Sequence, residues 1–357
     1  MSNIDVIKKV LEGNIKISME KIYIELTNRC NLQCVHCYNN SNNGINIDLP
    51  FDLVKGMIEF AKSCGLDSVA LSGGEALLYP RINEVMKLCE DLDLSVQLLT
   101  NGTYIKDEYI DIILKYKPDI QVSLEGPDAA SNDYIRGKGS FKKAIGFIKQ
   151  LKKQMYPKSI FVNTVLTESN SSNYSEMVNL CHELGVDNLT YSIVTFAGRA
   201  KTNNIQLKQD KFLDIVKRIN SALKSDPKNN CQGVGMNHHC SLIDVRNDLI
   251  YLQPKVAYNG DVFPCQMHNA NEYVIGNIKK SNLYDVLNSE ITHNFLILML
   301  IRRSFMRECA ECAFSSMCDR GCMAKAVNDF ANPLANDGCC YFYKELLLEQ
   351  IKNVRRS

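Results

Sequence analysis

Where the cysteines fall constrains this chain more than any other feature. There are 15 of them in 357 residues, an odd number in a chain long enough to bury a sizeable core without disulfide staples. The N-terminal run Met1-Ser2-Asn3-Ile4-Asp5 lacks the basic n-region and apolar h-region of a secretion signal. A reducing compartment is therefore expected, with the thiols free or holding metals, and the cytoplasm is the expected location. The distribution is uneven. Cys30, Cys34 and Cys37 crowd one short stretch, and Cys309, Cys312, Cys318, Cys322, Cys339 and Cys340 crowd another. Such clustering favours metal ligation.

Charge and hydropathy remove other classes. Lys and Arg number 41 against 40 Asp and Glu, a net charge of +1, so no basic excess exists to neutralise many phosphates and a nucleic-acid partner is not expected. The longest apolar run, residues 295–301, falls far short of the ~18 residues that suggest a membrane span, and no membrane partner is expected.

From about residue 21 to 194, β-rich runs alternate with amphipathic stretches. Candidate strands cover 21–27, 68–72, 95–100, 119–124, 159–166 and 188–194; candidate helices cover 51–64, 81–91, 106–116, 141–152 and 173–184. In the first of these helices Leu53, Val54, Met57, Ile58 and Ala61 make one stripe. Strands alternating with helices imply a parallel sheet, either doubly wound or an open partial barrel, with chemistry at the C-terminal strand ends. After Ala200 the chain becomes polar, with a helix expected around 211–223, a break at Ser225-Asp226-Pro227, and short elements around 249–258 and 261–263. From Cys231 onward it is Cys- and Gly-punctuated, and a segment of that kind is expected to build little apolar core, metals supplying what packing cannot. The expected divisions are an N-terminal extension 1–15, a core 16–200, a bridging helical linker 201–230 and a Cys-rich domain 231–357.

The first candidate strand runs into Asn28-Arg29-Cys30-Asn31-Leu32-Gln33-Cys34-Val35-His36-Cys37-Tyr38, a Cys-x3-Cys-x2-Cys spacing. Three thiolates on one loop hold three irons of a four-iron cluster and leave the fourth open. An open position suits a catalyst, whereas structural metal sites are closed. The competing reading is a zinc knuckle with His36 as fourth ligand, which its place between two ligands disfavours.

This motif after the first strand of a βα fold resembles the radical SAM superfamily, over residues of about 20 to 200. The resemblance implies a partial (β/α)6 TIM-like barrel. It also implies a [4Fe–4S] cluster on Cys30, Cys34 and Cys37 whose open iron binds S-adenosylmethionine (SAM). Reductive cleavage of SAM would then give methionine and a 5′-deoxyadenosyl radical that abstracts hydrogen from substrate. Other strand ends match the same family. Ser72-Gly73-Gly74-Glu75 resembles the GGE motif that holds the methionine amino group, glycines permitting close approach and a carboxylate pairing with an ammonium. Thr100-Asn101-Gly102 matches the third strand end. Ser123-Leu124-Glu125-Gly126 followed by Asn132-Asp133-Tyr134-Ile135-Arg136-Gly137 resembles the Ser-Leu-Asp-Gly segment and its downstream Arg, with Glu125 in place of the commoner Asp. There Ser123 and Arg136 would contact the SAM carboxylate or ribose region. Phe196-Ala197-Gly198-Arg199-Ala200 resembles the family's Gly-Arg-Ala segment, and His36 joins Gly73, Gly74, Glu75, Asn101, Ser123 and Arg136 among the expected cofactor contacts. Asn163, polar within an apolar run, reads equally well as a satisfied core residue.

The C-terminal spacing Cys309-x2-Cys312-x5-Cys318-x3-Cys322, followed by Cys339-Cys340 and preceded by Gly260-x4-Cys265 and Gly276-Asn277-Ile278, resembles the SPASM extension. The resemblance implies two closed auxiliary [4Fe–4S] clusters, making three in all. One would use Cys240, Cys265 and Cys322 with Cys231; the other Cys309, Cys312, Cys318 and one of the last pair. Cys340 is chosen because Cys340-Tyr341-Phe342-Tyr343-Lys344 matches the family's Cys-x3-Lys ending. Cys64, Cys89 and Cys181 lie on candidate helices and read as small buried hydrophobes, and Cys339 as a spare thiol. Structural zinc is the competing reading.

Peptide maturases and anaerobic sulfatase-maturating enzymes carry this combination. The resemblance points to oxidative modification of a ribosomally made peptide (crosslink, thioether or side-chain oxidation), with a flavodoxin- or ferredoxin-type electron donor. Gln266 stands where sulfatase maturases place an acidic residue after the Gly-x4-Cys cysteine, which weakens the case for sulfatase maturation. Only 29 residues precede Cys30, too few for a winged-helix leader-binding domain, which leaves either a separate leader-peptide-binding protein or a substrate recognised directly by the barrel. The same chemistry on a small molecule, such as a tetrapyrrole or an alcohol, competes with the peptide reading. A zinc-stabilised binding protein without redox activity competes with the enzyme reading. His238, His239 and His268 lie near the auxiliary cysteines, where ordinary exposed histidines are the safer reading than bases.

Overall fold

The computed structural model describes residues 3–104, 106–207, 211, 214, 215, 217, 218, 244–246, 249–315, 318 and 320–354. Cys231, Cys240, His238, His239 and most of the expected 211–223 helix lie outside the described residues. Helix α1 (Asn3–Leu11) and strand β1 (Lys16–Met19) come first. The βα region follows: β2 (Tyr23–Glu25), α2 (Phe51–Ser63), β3 (Ser68–Ser72), α3 (Ile82–Asp91), β4 (Ser95–Thr100), α4 (Asp107–Tyr116), β5 (Asp119–Ser123), α5 (Ala129–Arg136), α6 (Ser140–Lys153), β6 (Ile160–Leu166), α7 (Tyr174–Leu184), β7 (Asn188–Ile193) and α8 (Gly198–Thr202). The C-terminal part holds β8 (Asp244–Arg246), β9 (Leu249–Leu252), β10 (Lys255–Val256), β11 (Asp261–Phe263), β12 (Gly276–Asn277), α9 (Leu283–Leu287), α10 (Glu290–Phe305), α11 (Arg307–Ala310), α12 (Met323–Phe330) and α13 (Cys340–Val354).

Alternation explains the strands. In β6, Ile160, Val162, Thr164 and Leu166 are buried while Phe161, Asn163 and Val165 are half-buried, so one face meets helices and the other lines the concave side. The helices return the complement: on α6, Ala144, Phe147, Ile148 and Leu151 are buried at helical spacing. Strands β2 to β7 pair in chain order and in parallel, as βαβ crossovers require. The sheet stays open, with β7 at one edge, and forms the partial barrel expected.

The sheet also crosses the boundary expected near residue 231. Strand β10 pairs in parallel with β2, and β11 and β12 add antiparallel strands beyond it, giving one nine-stranded sheet. Strand β1 pairs with β9, and α1 packs on α10, so the first residues belong with the last third of the chain. The expectation of a C-terminal segment with little core is corrected here. Val256, Val262, Ile275, Leu287, Leu296, Met299 and Leu300 are buried in the same apolar cluster as the barrel residues. Burying each such side chain is worth about 1.5–3 kcal/mol relative to exposure, enough for packing to carry much of this region. The 295–301 run sits in α10 with Phe295, Leu296, Met299 and Leu300 buried. Among the described residues no helix is long and apolar enough to cross a membrane.

Candidate functional site

The loop after β2 is closed on itself by side chains. Asp48 accepts from Thr27 Oγ1 at 2.5 Å and from Arg29 Nε at 3.0 Å, while Asn28 donates to the Ile45 carbonyl and accepts from the Ile47 amide, each at 2.7 Å. Cys30, Cys34 and Cys37 stand on this loop, near enough for each thiolate to raise the cost of ionising another. Burial pushes the Cys30 thiol up to about 12, so its ionisation needs a metal or cation at hand.

Two segments grip the loop through its backbone. The Gly74 amide donates to the Thr27 carbonyl and the Glu75 amide to the Arg29 carbonyl, both at 2.8 Å. A Cβ on Gly74 would run into the Arg29 carbonyl. From the far side of the barrel, the Arg199 amide donates to the Cys37 carbonyl at 2.9 Å, its Nε to the Cys34 carbonyl at 2.8 Å and its Nη1 to the Ser41 carbonyl at 2.7 Å. Gly198, at φ +53°, leaves no room for a side chain against the Tyr38 carbonyl.

The strand-end residues form two buried knots. Glu75 is 1% exposed, and its carboxylate accepts from Thr100 Oγ1 at 2.8 Å, the Asn101 amide at 2.7 Å and the Leu77 amide at 3.2 Å. Burial raises its carboxyl above the usual range against those donors. Asn101 Nδ2 reaches Asn31 Oδ1 at 2.9 Å and lies 3.8 Å from Cys30 Sγ. In the second knot, Glu125 Oε1 accepts from Arg136 Nε at 3.0 Å and Nη2 at 2.5 Å and sits 3.3 Å from His36 Nε2, while Oε2 accepts from the Val165 amide at 2.6 Å. Burial alone would push this carboxyl up; Arg136, then His36, overcome it and hold it down at about 2. Arg136 Nη1 is 4.0 Å from Cys34 Sγ, and His36 Nδ1 is buried with no hydrogen-bond partner. Ser123 stands half-buried at the end of β5, in register with Asn163, which accepts from Thr190 and Ser192.

In the C-terminal part, Cys309, Cys312, Cys318 and Cys340 line one partly open cavity. The thiols of Cys340, Cys318 and Cys312 all act electrostatically on Cys309. Cys339 turns away into the apolar cluster, where burial and then Asp337 push its thiol up to about 12. Arg302, 1% exposed on α10, donates to the carbonyls of Arg320, Gly321, Pro333 and Ala335 and so frames the loop that carries Cys322. Cys265 and Cys322 are both half-buried; the partners expected for them, Cys231 and Cys240, lie outside the described residues. Among the described residues no three Cys, His, Asp or Glu side chains converge as a single zinc ion requires.

Between the two cysteine regions lies a residue that no local pattern announced. Lys255, on β10, is 3% exposed, with its ammonium bonded to Asn269, 3.9 Å from Glu25 and over the rings of Tyr38 and Phe263. Glu25 in turn accepts from Tyr38 and Asn39, which directly follow Cys37. His268 is buried, contrary to expectation, and burial followed by Lys255 lowers it to about 3, so it is neutral. Glu125, Arg199, Arg302 and Lys255 are the site-building residues that spacing did not single out for these roles; the only sequence signal for any of them was the resemblance around Glu125 and Arg199.

Residues 24–181 match the family model described as the radical SAM superfamily, and residues 252–313 match that of SPASM, an iron–sulfur cluster-binding domain. The antilisterial bacteriocin subtilosin biosynthesis protein AlbA of Bacillus subtilis is 27% identical over 350 residues, covering 92% of this chain and 72% of the relative. Pre-heme d1 synthase of Dinoroseobacter shibae is 25% identical over 361 residues, covering 88% and 84%. The solved structure of anSMEcpe with bound AdoMet and Cp18Cys peptide superposes with a TM-score of 0.75 at 19% identity, covering 95% of this chain and 98% of that one, a likeness of fold.

Proposed function

We propose that this chain, a radical SAM enzyme with a C-terminal SPASM domain, oxidatively modifies a ribosomally synthesised peptide. When bound, a four-iron cluster with one open iron and its SAM supply reductive cleavage to methionine and a 5′-deoxyadenosyl radical that takes hydrogen from the substrate. Cys30, Cys34 and Cys37 would hold that cluster, and Arg199 and the Gly73–Gly74 segment keep their loop in shape. Arg136 has Nε and Nη2 committed to Glu125, leaving Nη1 facing the cysteine loop, the side on which we place SAM. With Glu75 accepting three hydrogen bonds from the chain itself, its part is to fix the strand end whose backbone, with Asn101 and Ser123, borders the SAM site. Cys309, Cys312, Cys318 and Cys340 would hold one auxiliary cluster, and Cys265 and Cys322 with Cys231 and Cys240 the other.

The observation that carries the peptide reading is the concave face of the barrel. Beside the apolar Leu99, Phe161 and Val165, the side chains of Gln97, Gln121, Ser123, Asn163, Thr190 and Ser192 give it neutral amide and hydroxyl groups, joined as Gln97 to Gln121 and Asn163 to Thr190 and Ser192. Such groups suit a polypeptide backbone, whereas a tetrapyrrole needs a broad apolar wall. AlbA's part in bacteriocin biosynthesis and the peptide-bound anSMEcpe fold support the same reading. An electron donor of flavodoxin or ferredoxin type completes the proposal. The likeness to pre-heme d1 synthase favours a second reading, a tetrapyrrole substrate. One experiment separates them: reconstitute the protein anaerobically, count iron, and follow 5′-deoxyadenosine with a short Cys- or Thr-rich peptide encoded beside it or with a tetrapyrrole. About twelve irons and loss of hydrogen mass from the peptide are expected. Turnover of the tetrapyrrole alone would replace the peptide reading.

A further inference from the structure

One buried carboxylate beside the C-terminal thiols has no part in the chemistry above. Asp337 is 1% exposed and lines the cavity shared by Cys309, Cys312, Cys318 and Cys340. Its Oδ2 accepts from the Cys322 amide at 2.7 Å and the Tyr343 hydroxyl at 2.8 Å, and its Oδ1 from the Cys339 amide at 3.0 Å. Gly321, at φ +74°, lets the carboxylate this close; a Cβ there would stand 2.6 Å from it. All three donors are neutral. Among the described residues no cation hydrogen-bonds this carboxylate in place of these donors: Lys325 is paired with Asp329 and reaches Asp337 only through its charge, and Arg320, on the cavity wall, donates to the Arg303 carbonyl. A negative charge in a low-dielectric wall is felt by whatever fills the cavity.

We propose that Asp337 is a positioning and tuning residue for the auxiliary cluster held by these four cysteines, keeping its reduction potential low. The inference rests on the reading of the four thiols as cluster ligands. A cluster's potential follows net charge, hydrogen bonds and solvent exposure, and a fixed negative charge at the wall opposes an added electron. The same carboxylate anchors the amide of Cys322, assigned to one auxiliary site, and the amide next to Cys340, assigned to the other. It therefore sets the two ligand segments against each other as well as the field between them.

The test uses the full chain, reconstituted anaerobically, with an iron and sulfide count followed by a redox titration read by electron paramagnetic resonance. Asp337→Asn keeps the side-chain shape and removes the charge; full iron is expected, with one auxiliary potential shifted to more positive values and the SAM-site cluster unmoved. Tyr343→Phe strips a donor that partly offsets the charge, and a shift in the negative direction is expected. Loosened packing would not give opposite signs. Full iron with no shift in either variant overturns the inference, as does loss of iron from both. If only Asp337→Asn loses iron, Tyr343→Phe decides: a negative shift at full iron supports the role and an unchanged potential overturns it. Wild-type protein that takes up no iron at these cysteines overturns the cluster reading itself, before any potential is measured.

Discussion

Glu125 shows how a single position can set the state of its neighbours. Its carboxylate joins Arg136, His36 and the Val165 amide, and removing its charge would leave Arg136 buried at 8% exposure without a counter-ion. Breaking one partner of a buried pair costs about 3–5 kcal/mol. Glu125→Gln should therefore lower stability by about 3 kcal/mol at pH 7 in denaturant melts. The folded carboxyl is held at about 2, below the ordinary 4.5. Its contribution is therefore present above the unfolded value and fades as pH falls towards the folded one, and the gap between wild type and variant should narrow over that window. A gap that widens in acid would contradict the assignment. The adjacent thiols Cys339 and Cys340 make a second prediction at this scale. Cys340→Ala should reduce bound iron by about four, while Cys339→Ala leaves the count unchanged. The reverse result would exchange their roles.

At the scale of elements, the site depends on short segments that touch the cysteine loop through backbone atoms. Helix α8 places Arg199 against the Cys34, Cys37 and Ser41 carbonyls only because Gly198 can lie on the Tyr38 carbonyl at positive φ. Gly198→Ala meets both a left-handed backbone and a clash. Loss of iron from the first cluster and loss of SAM cleavage are expected, while far-UV circular dichroism stays unchanged because the strands do not depend on α8. Retained SAM cleavage would show that the loop holds its shape without this clamp. Caps act at the same scale: Asp128 accepts from the Ser131 amide at 2.8 Å and starts α5, the helix that delivers Arg136 to Glu125.

For the whole molecule, the seam between β2 and β10 joins the barrel to the C-terminal part, and Lys255 and Glu25 are its buried charges. Burial lowers the ammonium, and Glu25 opposes that shift. Lys255→Met should destabilise the protein by about 3 kcal/mol by leaving Glu25 buried without its cation. Adding Glu25→Gln should restore much of the loss, since removing both charges of a buried pair is cheaper than removing one. Additive losses in denaturant melts would show that the two residues do not act as a pair. Because Tyr38 and Asn39 also bond Glu25, the single variant should further lower product formed per SAM cleaved.

The six parallel strands and their helices were readable in the chain because alternation and helical spacing are local patterns, and local burial obeys them. The cysteine spacings were readable for the same reason, since ligands on one loop keep their order. Tertiary structure alone placed β10 beside β2 and β1 beside β9, because strands of two to four residues carry no periodicity and their partners are more than 200 positions away. The choice of Cys340 over Cys339 was already legible in its Cys-x3-Lys ending, and the fold sets Cys340 at the cavity and Cys339 in the core. It alone buried Lys255, Asp337 and His268. A charged or polar side chain is buried only where distant segments bring it partners or close over it, and that is decided by contacts that no window of sequence contains.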